Sequence, residues 1–397
     1  MASPPRRVAV KLDLDWPYKR HAGVFAGLQA YAQARGWQCT VDEYVEDTLA
    51  RHPRPLPYDG IVARATPLLA RRAAGLNVPV VNVWASSPAR GRLPGVFPDY
   101  AAMGRLRAEH LLSRGFRRFG TLTADDDRGQ DEEVAAFTRA VADAGFPCAA
   151  ARVALDTASS LAEWRKTERT ITGWMDALAP PIGAYVGSES HGRIVAQACH
   201  RRGWRVPQDV AIVAGRNELT LCEGLRPTLS SVEVGYERVG AEAARLLDEL
   251  MNGAPPPSQP ILIPPAGLVV RESTDFFAVR DELVAAALQF IAANSHLPIG
   301  QDDVARAVAA ETRTLQRRFG KHLNRGIAAE IRRVRIERAR RELAMGDRSV
   351  KAIARDTGFG GSARLCEVFR RELGVTPSEY RRDRQVRLDG AITPQPR

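Results

Sequence analysis

Cysteine is scarce in this chain of 397 residues: Cys39, Cys148, Cys199, Cys222 and Cys366 are odd in number and widely scattered. No two form a CxxC pair, so neither a zinc site nor a disulfide framework is indicated. Long apolar runs are missing too, and none approaches the ~20 residues needed to span a membrane. The N-terminal run 8–12 turns polar at Lys11 and Asp13, too soon for a signal peptide. A soluble, cytoplasmic protein with no membrane partner is expected. The seven histidines show no metal-ligand spacing, so no metal site is expected. No P-loop, HExxH or GxGxxG opens a helix, so no cofactor is expected either. The stretch Gly187-Ser188-Glu189-Ser190-His191-Gly192 approaches a nucleophile elbow but is one residue too long for GxSxG. An enzyme is therefore not expected; an enzyme-like α/β domain fused to a DNA-binding domain is the competing class.

What is present is positive charge, unevenly placed. The chain carries a formal +11. Residues 278–384 hold 22 Lys/Arg against 14 Asp/Glu, so +8 of that excess sits in about a quarter of the chain. A basic domain attached to a nearly balanced one points to a polyanion partner for the basic part alone.

Residues 8–270 alternate short apolar runs with longer amphipathic stretches. Strands are expected at 8–12, 60–63, 78–83, 119–123, 182–186 and 210–214. Helices are expected at 22–35, 101–114, 132–145, 161–178, 192–202 and 234–252. This order predicts parallel sheets with helices on both faces. Its length suits two α/β lobes, with a midpoint near residue 125. The apolar runs 261–263 and 268–270 read as late strands of the second lobe or as a hinge, and 272–279 as a linker. After Arg280 only helical periodicity remains.

Two segments of the C-terminal part repeat one plan. Residues 301–308 form a short helix, 309–311 a small-residue turn, and 312–323 a helix with Leu315, Phe319 and Leu323 on one face. Residues 350–357 form the second short helix, Gly358 lies in the turn, and Ser362 suits an N-cap. The helix that follows buries Leu365, Val368 and Phe369. Helix-turn-helix units lay their second helix in the major groove. The side chains placed to read DNA are Thr312, Arg313, Gln316 and Arg317 in the first unit. In the second they are Ser362, Ala363, Arg364, Glu367 and Arg371. Arg reads guanine bidentately and Gln reads adenine. An Arg-rich helix over 328–344 joins the units.

Gly358-Phe359, Val368-Phe369-Arg370-Arg371, Gly374-Val375-Thr376-Pro377 and Tyr380-Arg381 stand at the spacing of AraC/XylS-type regulators, which residues 280–384 resemble. Thr314–Phe319 fits the first unit. Leu365 departs from the pattern, which usually has an aromatic there. The resemblance implies a transcription regulator, acting on double-stranded DNA, with activation through RNA polymerase as the family's habit.

In open α/β sheets, ligands bind beyond the carboxyl ends of the strands. The residues that fall there are Asp13, Asp15, Trp16, Tyr18, Arg64, Trp84, Asp99, Glu189, Arg216 and Asn217. Carboxylates, amides and Arg pair with vicinal hydroxyls, and Trp or Tyr covers an apolar sugar face. This part resembles the LacI-like, periplasmic-binding-protein-type sensors through Val78-Pro79-Val80-Val81, Ala108–Leu112, Arg114–Phe119, Val206–Ile212, Leu229–Val232 and Arg271–Asp275. The expected architecture is a two-lobed α/β sensor at 1–277 plus an all-α domain with two helix-turn-helix units at 278–384. A disordered tail is expected at 385–397. The resemblance implies a small-molecule effector, a sugar or sugar derivative, and a homodimer. Where that family places Asp-Asn, this chain has Arg216-Asn217; where it places Asn-Asp, this chain has Ser188-Glu189. Two readings stand. Arg216 meets a sugar acid or sugar phosphate rather than a free sugar such as xylose, or it pairs with Glu189, Asp99 or Glu218 and the ligand chemistry is unchanged.

Overall fold

The runs 60–63, 182–186 and 210–214 carry no charged residue, and each is a strand buried along its whole length. Burial on both faces is what a parallel sheet under two helical layers demands. The computed structural model describes residues 4–14, 19–51, 55–125, 127–154, 160–279, 281–323, 325–345 and 348–381.

The chain opens with β1 (Arg7–Lys11), α1 (Lys19–Ala34), β2 (Gln38–Val41), α2 (Val45–Arg51), β3 (Gly60–Ala63), α3 (Pro67–Leu76), β4 (Val80–Asn82) and β5 (Val96–Pro98). Four of these strands form a parallel sheet in the order β2-β1-β3-β4. Next come α4 (Tyr100–Ser113), β6 (Phe119–Ala124), α5 (Arg128–Asp143), β7 (Cys148–Val153), α6 (Leu161–Asp176), β8 (Ile182–Val186), α7 (Glu189–Arg201), β9 (Val210–Ala214), α8 (Leu219–Glu223) and β10 (Ser231–Glu233). Their sheet runs β7-β6-β8-β9, again parallel. Then α9 (Tyr236–Met251) returns to pack on α1, β11 (Ile261–Ile263) pairs with β5, and β12 (Gly267–Val269) pairs with β10. The chain therefore passes between lobes three times.

Two α/β lobes are present as expected, but the first crossing lies between β5 and α4, near residue 99, not at 125. The reason is that α4 packs on α5 and β8 of the second lobe. The run 261–263 belongs with the first lobe, not the second, through its pairing with β5. The expected linker is not a loose one. Residues Glu272–Thr274 form a 3-10 turn with Ser273 and Thr274 fully buried. The Ser273 hydroxyl donates to the Ile212 carbonyl at 2.6 Å, and Thr274 meets Ser230 at 2.6 Å.

The C-terminal part is all helical: α10 (Glu282–Asn294), α11 (Gln301–Ala307), α12 (Thr312–Leu323), α13 (Ile327–Met345), α14 (Val350–Asp356) and α15 (Ser362–Leu373). Two small cores support it. One gathers Phe277, Val284, Leu288, Ile291, Leu315 and Phe319; the other gathers Ile353, Leu365, Val368 and Phe369. Leu365 is fully buried, so the missing aromatic is replaced inside an apolar core. Gly361, in extended backbone, caps α15; Ser362, expected as the cap, is its first helical residue. The 385–397 tail lies outside the described residues.

Candidate effector cleft and DNA-reading helices

On the first lobe, the turn after β1 holds Asp13 at φ 56°, with its N–H and that of Leu12 donating to Glu43. Arg64, just after β3, reaches Asp13 at 3.1 Å and lies over the Trp84 ring at 4.9 Å. Asp13, Arg64 and Trp84 are thus brought together beyond the carboxyl ends of β1, β3 and β4. His21 is tied to the Asp13 carbonyl at 2.7 Å; burial, with Arg20 and Arg64 nearby, pulls its pKa down to about 4. Asp15, Trp16 and Tyr18 lie outside the described residues. Asp99 caps α4, accepting the Ala102 N–H at 2.8 Å.

On the second lobe, Glu189 is buried and accepts the backbone N–H groups of Arg216 at 2.6 Å and Glu218 at 2.9 Å. Asn217 is pinned by Glu233, Ser231 and Arg271. Both residues hold the turn that presents Arg216. The Arg216 guanidinium forks onto Glu133 Oε1 at 2.8 and 3.3 Å, stands 3.9 Å from Asp127 and covers the Tyr100 ring at 5.3 Å. Its partner is therefore none of Glu189, Asp99 or Glu218. Glu133 is fully buried, and its other oxygen meets Arg107 and the Tyr185 hydroxyl. Arg107 also donates to the Gly215 carbonyl at 2.6 Å. Burial opposes the charge on Arg216, but Glu133 and Asp127 outweigh it and hold the proton more firmly than usual. Burial raises the Asp127 pKa, yet the Arg216 charge and the Gln130 hydrogen bonds more than reverse this.

Arg107, Asp127 and Glu133 were missed from the sequence. A signal existed: Arg107 and Glu133 stand on the buried stripes of consecutive helices, Met103/Arg107/Leu111 and Glu133/Phe137/Val141. Opposite charges on two apolar stripes announce a buried pair. A Cβ at Gly104 would stand 2.1 Å from the Glu133 carbonyl, so glycine lets α4 and α5 approach closely enough for that pair. The cleft between lobes is also bridged by Arg90 and Glu132 at 2.8 Å.

In the C-terminal domain, α12 buries Leu315, Phe319 and Leu323 and exposes Arg313, Gln316 and Arg317. Arg313 and Arg317 make no hydrogen bond or ion pair among the described residues. Thr312 bonds Asp302 at 2.7 Å and is half-buried. On α15, Ala363, Arg364, Glu367 and Arg371 are exposed and Ser362 is half-buried. Arg364 pairs with Glu367 at 2.6 Å, and Arg371 with Glu372 at 3.1 Å. An exposed pair of this kind is worth little and yields readily to a better partner.

A two-lobed α/β domain joined to tandem helix-turn-helix units defines a class: ligand-responsive, DNA-binding transcription regulators. Residues 108–274 match the periplasmic binding protein-like domain, and residues 304–383 match a helix-turn-helix domain. The xylose operon regulatory protein of Haemophilus influenzae is 27% identical over 94% of this chain and 98% of its own length. That of Escherichia coli K12 is 27% identical over 94% and 96%. A solved structure of the xylose-binding transcription activator xylR covers 96% of this chain and 99% of its own, at 25% identity and a TM-score of 0.59. The chain thus pairs a periplasmic binding protein-like domain with an AraC-type helix-turn-helix domain and is homologous to the xylose operon regulators. These relatives are regulators, not enzymes. Among the described residues no helix is long and apolar enough to cross a membrane.

Proposed function

We propose that this chain senses an uncharged sugar between its lobes, in the cytoplasm, and regulates carbohydrate genes as a homodimer, with activation through RNA polymerase as its mode. The sensor is residues 1–277 and the reader residues 278–384. Asp13, Arg64 and Trp84 approach the sugar from the first lobe, and Asp127 and Arg216 from the second. The observation that supports a neutral effector is the pairing inside the cleft. Arg107 and Arg216 carry two positive charges, and Glu133 and Asp127 carry two negative ones. An isolated Arg216 would favour a sugar acid or phosphate; a compensated one asks for no anion. The relatives named for xylose make neutral pentoses the first candidates. Lobe closure around the sugar then selects one arrangement of the DNA-reading domain.

Calorimetry on the full chain tests the effector class, with D-xylose and other pentoses set against xylonate and xylose 5-phosphate. A neutral pentose should bind at least tenfold more tightly than either anion, a gap of about 1.4 kcal/mol. An anion that binds more tightly than every neutral sugar, and loses that advantage in Arg216→Gln, would overturn the reading. For the DNA side, Arg313→Ala or Arg364→Ala should cost ~1–3 kcal/mol and relax preference at one base position. Weakening spread evenly over all sequences would mean that these side chains hold phosphate instead.

A further inference from the structure

The two helix-turn-helix units share no common core. The first is built around Leu288, Ile291, Leu315 and Phe319, the second around Ile353, Leu365 and Phe369. Among the described residues, α13 alone contributes to both. Its Ile327 and Ile331 enter the first core, and its Ile336, Ala339 and Leu343 enter the second. The changeover falls between positions 331 and 336. A single helix fixes a distance, but it leaves the second unit room to tilt about its end unless something else ties the units together.

Arg335 stands at that changeover. The last carbonyls of a helix have no donors within it. Arg335 supplies donors beyond the end of α10: Nε to the Ser295 carbonyl at 2.8 Å, and Nη2 to the Leu297 carbonyl at 2.7 Å and the Ile299 carbonyl at 3.2 Å. A planar guanidinium can meet several acceptors in one fixed geometry, which a lysine ammonium cannot. Gly358, in the turn of the second unit, sits on the same spot. Its φ is +84°, and a Cβ there would lie 2.2 Å from the Ser295 carbonyl oxygen and 2.7 Å from Arg335 Nε. One carbonyl of the first unit, one guanidinium of the connecting helix and the turn of the second unit thus meet at a single point. Arg338 adds a bond from α13 to the Ala292 carbonyl at 3.0 Å.

We infer that Arg335, seated against Gly358 and the end of α10, is a positioning residue that fixes the register between the two recognition helices, and so the spacing of the two DNA boxes this chain accepts. Inserting a single base pair turns one box by about 35° and shifts it by about 3.4 Å relative to the other. A rigid pair of readers must reject that change, whereas a hinged pair tolerates it. The inference rests on the reading that both units contact DNA.

The test uses the full-length chain. A duplex pool with a randomised segment of about 30 base pairs, long enough for two successive major-groove faces, is selected on the native protein. The selected duplex is then remade with one or two base pairs added or removed between its boxes. Native protein should lose more than about tenfold in affinity for each spacing variant. Arg335→Met should keep the melting transition and the preferred base sequence within each box, while the spacing penalty falls to about threefold or less. Arg335→Lys, which reaches fewer carbonyls, should fall between the two. It carries the same comparison if Arg335→Met does not fold. A spacing penalty unchanged in the Lys and Met variants, or an equal loss at every spacing, would overturn the role of Arg335. Selection of a single box would overturn it differently, by removing the second reader that the tandem reading requires.

Discussion

Glu133 accepts from two arginines and a tyrosine at once, fully out of water. Two guanidinium groups sharing one buried carboxylate are tolerable only while that carboxylate is ionised, because an uncompensated charge in the interior costs several kcal/mol. Glu133→Gln keeps the shape and removes the charge, and it should destabilise the sensor by about 3–5 kcal/mol. The check is a lower urea midpoint at unchanged slope, since a changed slope would mean an altered denatured or native state. His21 makes a pH prediction. Burial, above all, pulls its pKa from the usual 6.5 down to about 4. Between those values the unfolded chain binds a proton that the native state refuses, so stability declines as pH drops through that window. His21→Gln should flatten the stability-pH curve between about 6.5 and 4 relative to native protein; an unchanged slope there would assign the titration to other groups.

Among the elements, the turn between α11 and α12 holds Ala309 at φ +51°. A left-handed conformation costs a non-glycine residue roughly 1–2 kcal/mol, against which glycine's larger entropy loss of ~0.5–1 kcal/mol must be set. Ala309→Gly should therefore raise stability, by about 0.5–1 kcal/mol, and leave the exposed face of α12 unchanged; thermal unfolding reads the first and DNA affinity the second. The equivalent turn already has Gly358, which the sequence identified because a glycine between two helical patterns is visible. Ala309 is not, since nothing in its side chain marks a positive φ. The same contrast runs through the fold. β3, β8 and β9 were legible to the residue because strands buried on both faces are plain apolar runs. β2 and β7 were not, since edge strands with exposed positions, Gln-Cys-Thr-Val and Cys-Ala-Ala-Ala-Arg-Val, give no such run. The 272–279 segment resembled a linker because its order comes from side-chain hydrogen bonds of Ser273 and Thr274, which have no periodicity. In the cleft, position relative to the strands found Arg216. It could not find Glu133, which arrives from a helix face and not from a strand end.

On the scale of the whole molecule, α4 runs from the cleft to the DNA-reading domain. Its first residue, Tyr100, lies under Arg216, and Arg107 in its middle binds Glu133. Just past its end, the Arg114 guanidinium covers the Phe277 ring at 4.5 Å, and the Arg114 carbonyl accepts the Ala278 N–H at 2.7 Å. Phe277 in turn belongs to the core of the first helix-turn-helix unit. Around this seam the domains meet through a few polar contacts, Arg117 to the His322 carbonyl at 3.2 Å and Arg325 to the Ser113 carbonyl at 3.4 Å. Beside them lies a groove of about 1160 Å³ lined by Glu109, Phe146, Arg332 and Arg340. Domains joined by a sparse, polar seam move relative to one another unless something holds them, and the Arg114–Phe277 stack joins α4 directly to the reader's core. A ligand can shift that seam only through a contact that differs between its two states. Arg114→Met keeps the bulk against Phe277 and removes the charge, whose loss leaves only the largely exposed Asp275 without its partner. Effector binding to the sensor, measured by calorimetry, should stay within about twofold of native, as should DNA affinity without effector, because coupling energy is separable from either binding energy. The change in DNA affinity on adding effector should shrink at least fivefold, about 1 kcal/mol of coupling. If that change survives intact in Arg114→Met, the signal does not pass through the end of α4.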